Sequence, residues 1–328
     1  MDMTTGRGQE LEDSIGDTSE LVDYVLVTVT IFTAVVVLFG NILTITAIVT
    51  IPEMNHQANF YILSLAVADS IVGVAMLVMS FRYMRFSKKA FDEHKYLCLS
   101  GYILATISSW QSLLTLAVMA FDRLLCVERP FLYVRLFTDR LIKTVLACSW
   151  VISVTYGTLP SYFNTFDPAV GCVSFRVFPN NINRFFFATP AFTFIFITSA
   201  CYVRIACIAQ KHRKRIAAEM SLSLGQEPAK AVNQNTTNQQ KSTGLFLTMN
   251  TIFIACWTPF LINCLLSGLL DFTITEKAAA PAMFLAMSNS GMNFFIYALK
   301  NKQFARAYRR LLRHCSCRAE WPWRARSA

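Results

Sequence analysis

The chain has 328 residues, of which 54% are hydrophobic and only 15% charged, with 30 Lys and Arg against 20 Asp and Glu for a net charge of +10. So much apolar sequence exceeds what a water-soluble core absorbs, which excludes a soluble globular enzyme and points to an integral membrane protein. The positive balance is no sign of nucleic acid as a partner, because its distribution along the chain follows membrane topology.

Residues 1–23 form an acidic tail (Asp2, Glu10, Glu12, Asp13, Asp17, Glu20, Asp23) with no cleavable leader pattern. Seven apolar stretches follow, at about 24–52, 58–83, 95–127, 141–164, 184–210, 241–270 and 277–299. Each is long enough, at 1.5 Å per residue, to cross a hydrocarbon core about 30 Å thick. Inside lipid the backbone must satisfy its own polar groups, which leaves helices or closed barrels, and continuous apolar runs lack the alternation of a barrel. The expected fold is an all-α membrane protein, a seven-transmembrane helix bundle over residues 24–300. Residues 301–314 continue as an amphipathic eighth helix. Phe304, Tyr308, Leu311 and Leu312 share one face, with Lys302, Arg306, Arg309, Arg310 and Arg313 between them, so membrane lipids of the inner leaflet are a partner. In the tail at 315–328, Cys315 and Cys317 are either palmitoyl sites or plain free thiols.

Between the charge-free cores of these stretches, Lys and Arg number five from Arg123 to Lys143, seven from Arg204 to Lys241 and nine from Lys300 onward, 21 of the 30. The positive-inside rule then puts the amino terminus outside and the carboxyl terminus in the cytoplasm, as for a multi-pass protein of the plasma membrane. The polar stretch from Lys211 to Lys241 opens on a basic cluster, read either as a headgroup-contacting helix end or as a surface for an acidic partner, and its middle is expected to be disordered. Of ten cysteines, Cys98 and Cys172 alone lie together on the outer side. A disulfide between them is expected, with two buried thiols as the alternative. The loop after the second stretch is basic (Arg82, Arg85, Lys88, Lys89, Lys95 against Asp92 and Glu93), to attract an anionic ligand or to pair with the tail or lipid headgroups. His56, His94, His212 and His314 show neither metal spacing nor a paired nucleophile, so no catalysis is expected.

Several residues stand in the order and in the stretches that resemble the rhodopsin-like family of G-protein-coupled receptors, over roughly Tyr24 to Cys317. They are Gly40-Asn41, Leu65-Ala66-Val67-Ala68-Asp69, Cys98, Asp122-Arg123, Trp150, Cys256-Trp257-Thr258-Pro259-Phe260, and Asn293 with Tyr297. An ionisable Asp69 at mid-membrane depth needs a wet interior or a partner. The resemblance implies a sodium-binding polar cavity of Asp69, Ser112, Asn289, Ser290 and Asn293, a hydrated network without Na+ being the alternative. It also implies that Arg123 beside Asp122 faces the cavity that receives a heterotrimeric G protein, and that Tyr202, Phe253, Trp257, Pro259 and Tyr297 form the activation switch. Pro130 and Phe131 of the second inner loop would contact the G protein.

The chain departs from the pattern at Leu124, where an aromatic residue is usual, at Gln239, where an acid is usual, and at Phe294, where proline is usual. Pro190 stands twelve residues before Tyr202 instead of eight. Without an acid at 239 the latch between the third and sixth helices cannot form, so raised basal activity is expected. By position the outer ligand pocket would be lined by Ala105, Thr106, Ser109, Trp110, Phe260, Leu261, Cys264, Met283 and Met287. Ala105 stands where amine receptors of the family carry a carboxylate, and Met287 where opsins carry their retinal lysine. The function implied is a receptor for an extracellular ligand that is neutral, lipid-like or peptidic. The alternative is a seven-helix binding-only or decoy protein without G-protein coupling.

Overall fold

The structure is a computed structural model and describes residues 3–54, 56–172, 177, 188–222, 230–269 and 276–319. Helices account for nearly all of it, with no strand among the described residues. In chain order they are α1 (Met3–Thr50), α2 (Gln57–Phe81), α3 (Arg85–Glu93), α4 (Lys95–Glu128), α5 (Pro130–Leu136), α6 (Asp139–Thr158), α7 (Thr189–Leu222), α8 (Lys230–Leu269), α9 (Glu276–Lys300) and α10 (Lys302–Ala319). Six are long and apolar enough to cross a membrane, from Tyr24–Thr50 of α1 to Thr243–Leu266 of α8. The seventh span is α9, whose 25 residues extend about 37 Å and which turns its polar positions Asn289, Ser290 and Asn293 into the bundle.

The ends of the elements differ from the apolar stretches for local reasons. The first stretch, taken to 52, stops at Thr50, because Pro52 carries no amide hydrogen and starts a 3-10 turn through Met54. The fourth, taken to 164, stops at Thr158, and a 3-10 turn around Pro160 follows. The second, taken to 83, ends at Phe81. Backbone helix extends back to Met3 within the acidic tail, and α10 runs to Ala319, past the expected 314. Between the fifth and sixth spans, α7 continues to Leu222 and α8 begins at Lys230, because Ala, Met, Lys and Gln favour helix beyond the bilayer. The middle of that loop, 223–229, lies outside the described residues.

α4 lies at the centre, packed on α2, α6, α7 and α8, while α1 packs on α2, α9 and α10. Because lipid offers no hydrophobic drive between helices, polar bonds and close contacts define these interfaces. The fully buried Gln111 of α4 is one such hub. Its Nε2 donates to Ser64 of α2 at 3.0 Å, Ser149 of α6 at 2.9 Å and Thr115 at 3.2 Å, and its Oε1 accepts from Ser153 of α6 at 2.9 Å. Trp150 adds a donor to Ser64 at 3.1 Å. Gly157 of α6 meets α4 so closely that a Cβ there would fall 2.7 Å from the Ile107 backbone nitrogen. At the N-terminal end of α4, Cys98 is joined to Cys172 by a disulfide, 5.7 Å between Cα atoms.

Candidate functional site

Asp69 of α2 is fully buried. Asn293 Nδ2 of α9 donates to its Oδ2 at 2.8 Å, and the Ser112 and Ser290 hydroxyls stand beside the carboxylate. Asp69 Oδ1, Ser112 Oγ and Asn289 Oδ1 make no hydrogen bond of normal geometry within the protein. The structure therefore brings Asp69, Ser112, Ser290 and Asn293 together and leaves three buried oxygens, on Asp69, Ser112 and Asn289, without a partner within the protein. Buried polar atoms require partners. Oxygens of this kind fit a small hard cation or ordered water. Asn41 of α1 closes the adjoining interface, donating to the Ser290 carbonyl at 3.1 Å.

At the inner end of α4, Arg123 and Asp122 form a buried ion pair. Arg123 is buried in this pair and does not extend towards water. Arg123 Nε donates to Asp122 Oδ2 at 2.7 Å. Its guanidinium lies over the Phe246 ring of α8, 5.6 Å from the centroid. The other carboxylate oxygen accepts from Tyr61 of α2 and Tyr133 of α5, each at 3.1 Å. Burial first, and the Asp122 charge second, raise the Tyr133 hydroxyl above its ordinary pKa. It therefore stays protonated and donates. Neither tyrosine was singled out from sequence, because the contacts bring together residues 61 and 11 positions apart.

Along α8 the expected stripe is present. Phe253 stacks on Trp257 at 5.5 Å, Trp257 meets Phe260 edge-on at 6.1 Å, and Met249 is buried one turn further in. Pro259 lies inside the helix, where its missing amide hydrogen loosens the ladder. Tyr202 and Tyr297 are buried with hydroxyls that lack a hydrogen-bond partner. α5 begins with Pro130 in its first turn and presents Phe131 93% exposed.

The outer positions divide. Ala105, Met283 and Met287 pack together with Val72 and Met76. Trp110 turns instead towards α6 and α7, 4.7 Å from the Tyr156 ring and 6.3 Å from Phe194, and shares its cluster with Phe260 and Leu261. Six of the nine proposed lining residues thus fall into two hydrophobic clusters, three in each. Thr106 and Ser109 spend their hydroxyls on their own helix, donating to the Tyr102 and Ala105 carbonyls. Cys264 is buried.

A family model of the seven-transmembrane receptors of the rhodopsin family matches residues 40–297, most of the chain. The chain belongs to the rhodopsin family of seven-transmembrane receptors. Among similar curated proteins are the human adenosine receptor A2a, 26% identical over 92% of this chain and 75% of that protein, and the rat 5-hydroxytryptamine receptor 4, 27% identical over 86% and 75%. The rat trace amine-associated receptor 9 is 26% identical over 84% and 82%. The family consists of receptors, not enzymes.

In this receptor the departure at Phe294 is accommodated by α1. The ring fills the space over Gly40 and lies 5.0 Å from Tyr308 of α10, whose hydroxyl is 2.8 Å from Thr44 Oγ1. α9 runs through this point as one helix. The side chains of Gln239, Cys315 and Cys317 lie outside the described residues. A tie between α8 and α9 that sequence reading missed is Lys300 Nζ donating to Thr248 Oγ1 at 2.7 Å. Its only signal in the sequence is a lysine at the inner end of an apolar run.

Proposed function

We propose that this receptor passes an extracellular ligand event to a heterotrimeric G protein at its inner face. The carrying observation is Arg123, buried beneath Phe246 of α8 and paired with Asp122, whose other oxygen accepts from Tyr61 of α2 and Tyr133 of α5, while α8 carries no acid to pair with it. A charge parked in this way is released when α8 swings about Pro259, and the exposed Phe131 on neighbouring α5 offers an apolar plug for the partner. The amino terminus outside and the carboxyl terminus in the cytoplasm belong to the same reading, supported by the placement of basic residues.

The ligand we propose is not an amine: it is neutral, lipid-like or a peptide. Relatives named for 5-hydroxytryptamine and trace amines do not support this part, which rests on the site alone. Ala105 offers no carboxylate. In the described outer segments, Asp92 is engaged by the Cys172 amide at 2.8 Å and Glu93 by Lys89 at 3.7 Å. Na+ is proposed as an allosteric ion held by Asp69, Ser112 and Asn289, where it would supply a counter-charge in the apolar interior. Basal activity is proposed to be raised, because the tie between α8 and α9 is an exposed bond of the kind worth about 0–1 kcal/mol. The test is G-protein nucleotide exchange with Phe131→Ala at equal surface expression, alongside a ligand panel. Coupling should fall and lipids or peptides should act. Unchanged coupling contradicts the inner-face reading, and activation by amines contradicts the ligand class.

A further inference from the structure

α3 divides its nine residues between two environments. On one side Phe91 is buried among Cys98, Leu99, Tyr102 and Cys172, and Asp92 Oδ1 accepts the Cys172 amide at 2.8 Å. Gly171, at φ 80°, passes so close that a Cβ there would lie 2.9 Å from the same carboxylate oxygen. This side grips the loop that carries the disulfide. On the other side Phe86 is 79% exposed, and Lys89, one turn on, is exposed and 3.7 Å from Glu93.

The exposed phenylalanine continues a line of apolar side chains. Val67, Val74 and Phe81 recur every seven residues on α2, all exposed from the bundle, which is the lipid-facing stripe of a spanning helix. Phe86 stands edge-on against Phe81, 6.5 Å between ring centroids, so the stripe does not end with α2 but passes onto α3. Aromatic rings at the end of a span, with lysines just beyond them, are the composition of a bilayer interface.

We infer that α3 lies on the bilayer surface, with Phe86 in the acyl-headgroup boundary and Lys89 at phospholipid phosphates, and that this contact seats the disulfide-bearing loop. The bilayer is favoured as occupant by continuity with the α2 stripe as well as by charge. The acidic residues 1–23 match Lys89 in charge but offer no continuation of that stripe.

The test uses the full chain in cell membranes with the photocross-linker p-benzoylphenylalanine in place of Phe86. Adducts with phospholipid acyl chains are expected. Cross-links to residues 1–23 or to a second copy of the chain, or the absence of any adduct, overturn the inference. For the seating of the loop, the Cys98–Cys172 bond should be reduced about fivefold faster in Phe86→Ser than in wild type, in phosphatidylcholine nanodiscs. Phe86→Trp should restore the slow rate, and equal rates in Phe86→Ser and wild type overturn the seating. Neither readout depends on G-protein coupling, so failure here is distinct from failure of the receptor reading.

Discussion

A Cβ added at Gly40 would stand 2.7 Å from both Cβ and Cγ of Phe294, and neither atom is the free end of a flexible chain. Gly40→Ala should therefore cost about 2 kcal/mol of stability, in the range for overpacking, read as a lower melting temperature in detergent. In a Phe294→Gly background, which removes both of those atoms, the same substitution should cost almost nothing; additive costs would show that the two residues are not fitted to each other. Asp122 makes a second residue-scale case. Tyr61→Phe and Tyr133→Phe each remove a hydrogen bond to a carboxylate, worth about 1.5–3 kcal/mol. If those bonds favour the closed state, each variant should raise basal nucleotide exchange by about fivefold or more. Falling exchange would mean that the tyrosines support the active state instead. Asp69, Arg123 and Trp257 were legible in the sequence because each is costly or conspicuous in an apolar run. Gln111, Tyr61 and Tyr133 were not, since a buried amide or phenol is recognised only when its partners on other helices are known.

At the scale of elements, what a sequence reveals depends on length and solvent. Seven spans were readable because a bilayer forces some twenty apolar residues into each. α3 and α5 were missed, having nine and seven residues, too short for periodicity to separate a helix from a loop. α5 can be rationalised afterwards by Pro130 in its first turn. The joint between α9 and α10 is fixed by Asn301, whose side chain accepts the Gln303 amide at 2.9 Å, so the amphipathic helix turns off at once instead of prolonging α9. The element proposed to move is α8, and one tie to α9 is the Lys300–Thr248 bond. Lys300→Met removes that donor while keeping an apolar stem. Basal exchange should rise by about two- to fivefold, the equivalent of up to about 1 kcal/mol for an exposed contact. No change would leave the resting position of α8 to side-chain packing alone.

For the whole molecule, the central position of α4 explains how one fold serves two ends. Its outer end carries Cys98 and Ala105, its middle Ser112 beside Asp69, and its inner end the Asp122–Arg123 pair. The three sites share one helix, and α8 and α9 pack together alongside it. A change of helix arrangement at one level is thus felt at the others through contiguous packing, provided the bundle has two stable arrangements. Composition made the bundle legible, whereas the division of the proposed pocket residues into two clusters came only from packing. The most direct measurement is basal guanine-nucleotide exchange on a heterotrimeric G protein, in membranes carrying the wild-type chain, the Arg123→Ala variant at matched surface expression, or neither. The account predicts exchange above that of the empty membranes for wild type and a return to that background for Arg123→Ala. A wild-type chain no faster than empty membranes, or a variant as fast as wild type, would contradict it.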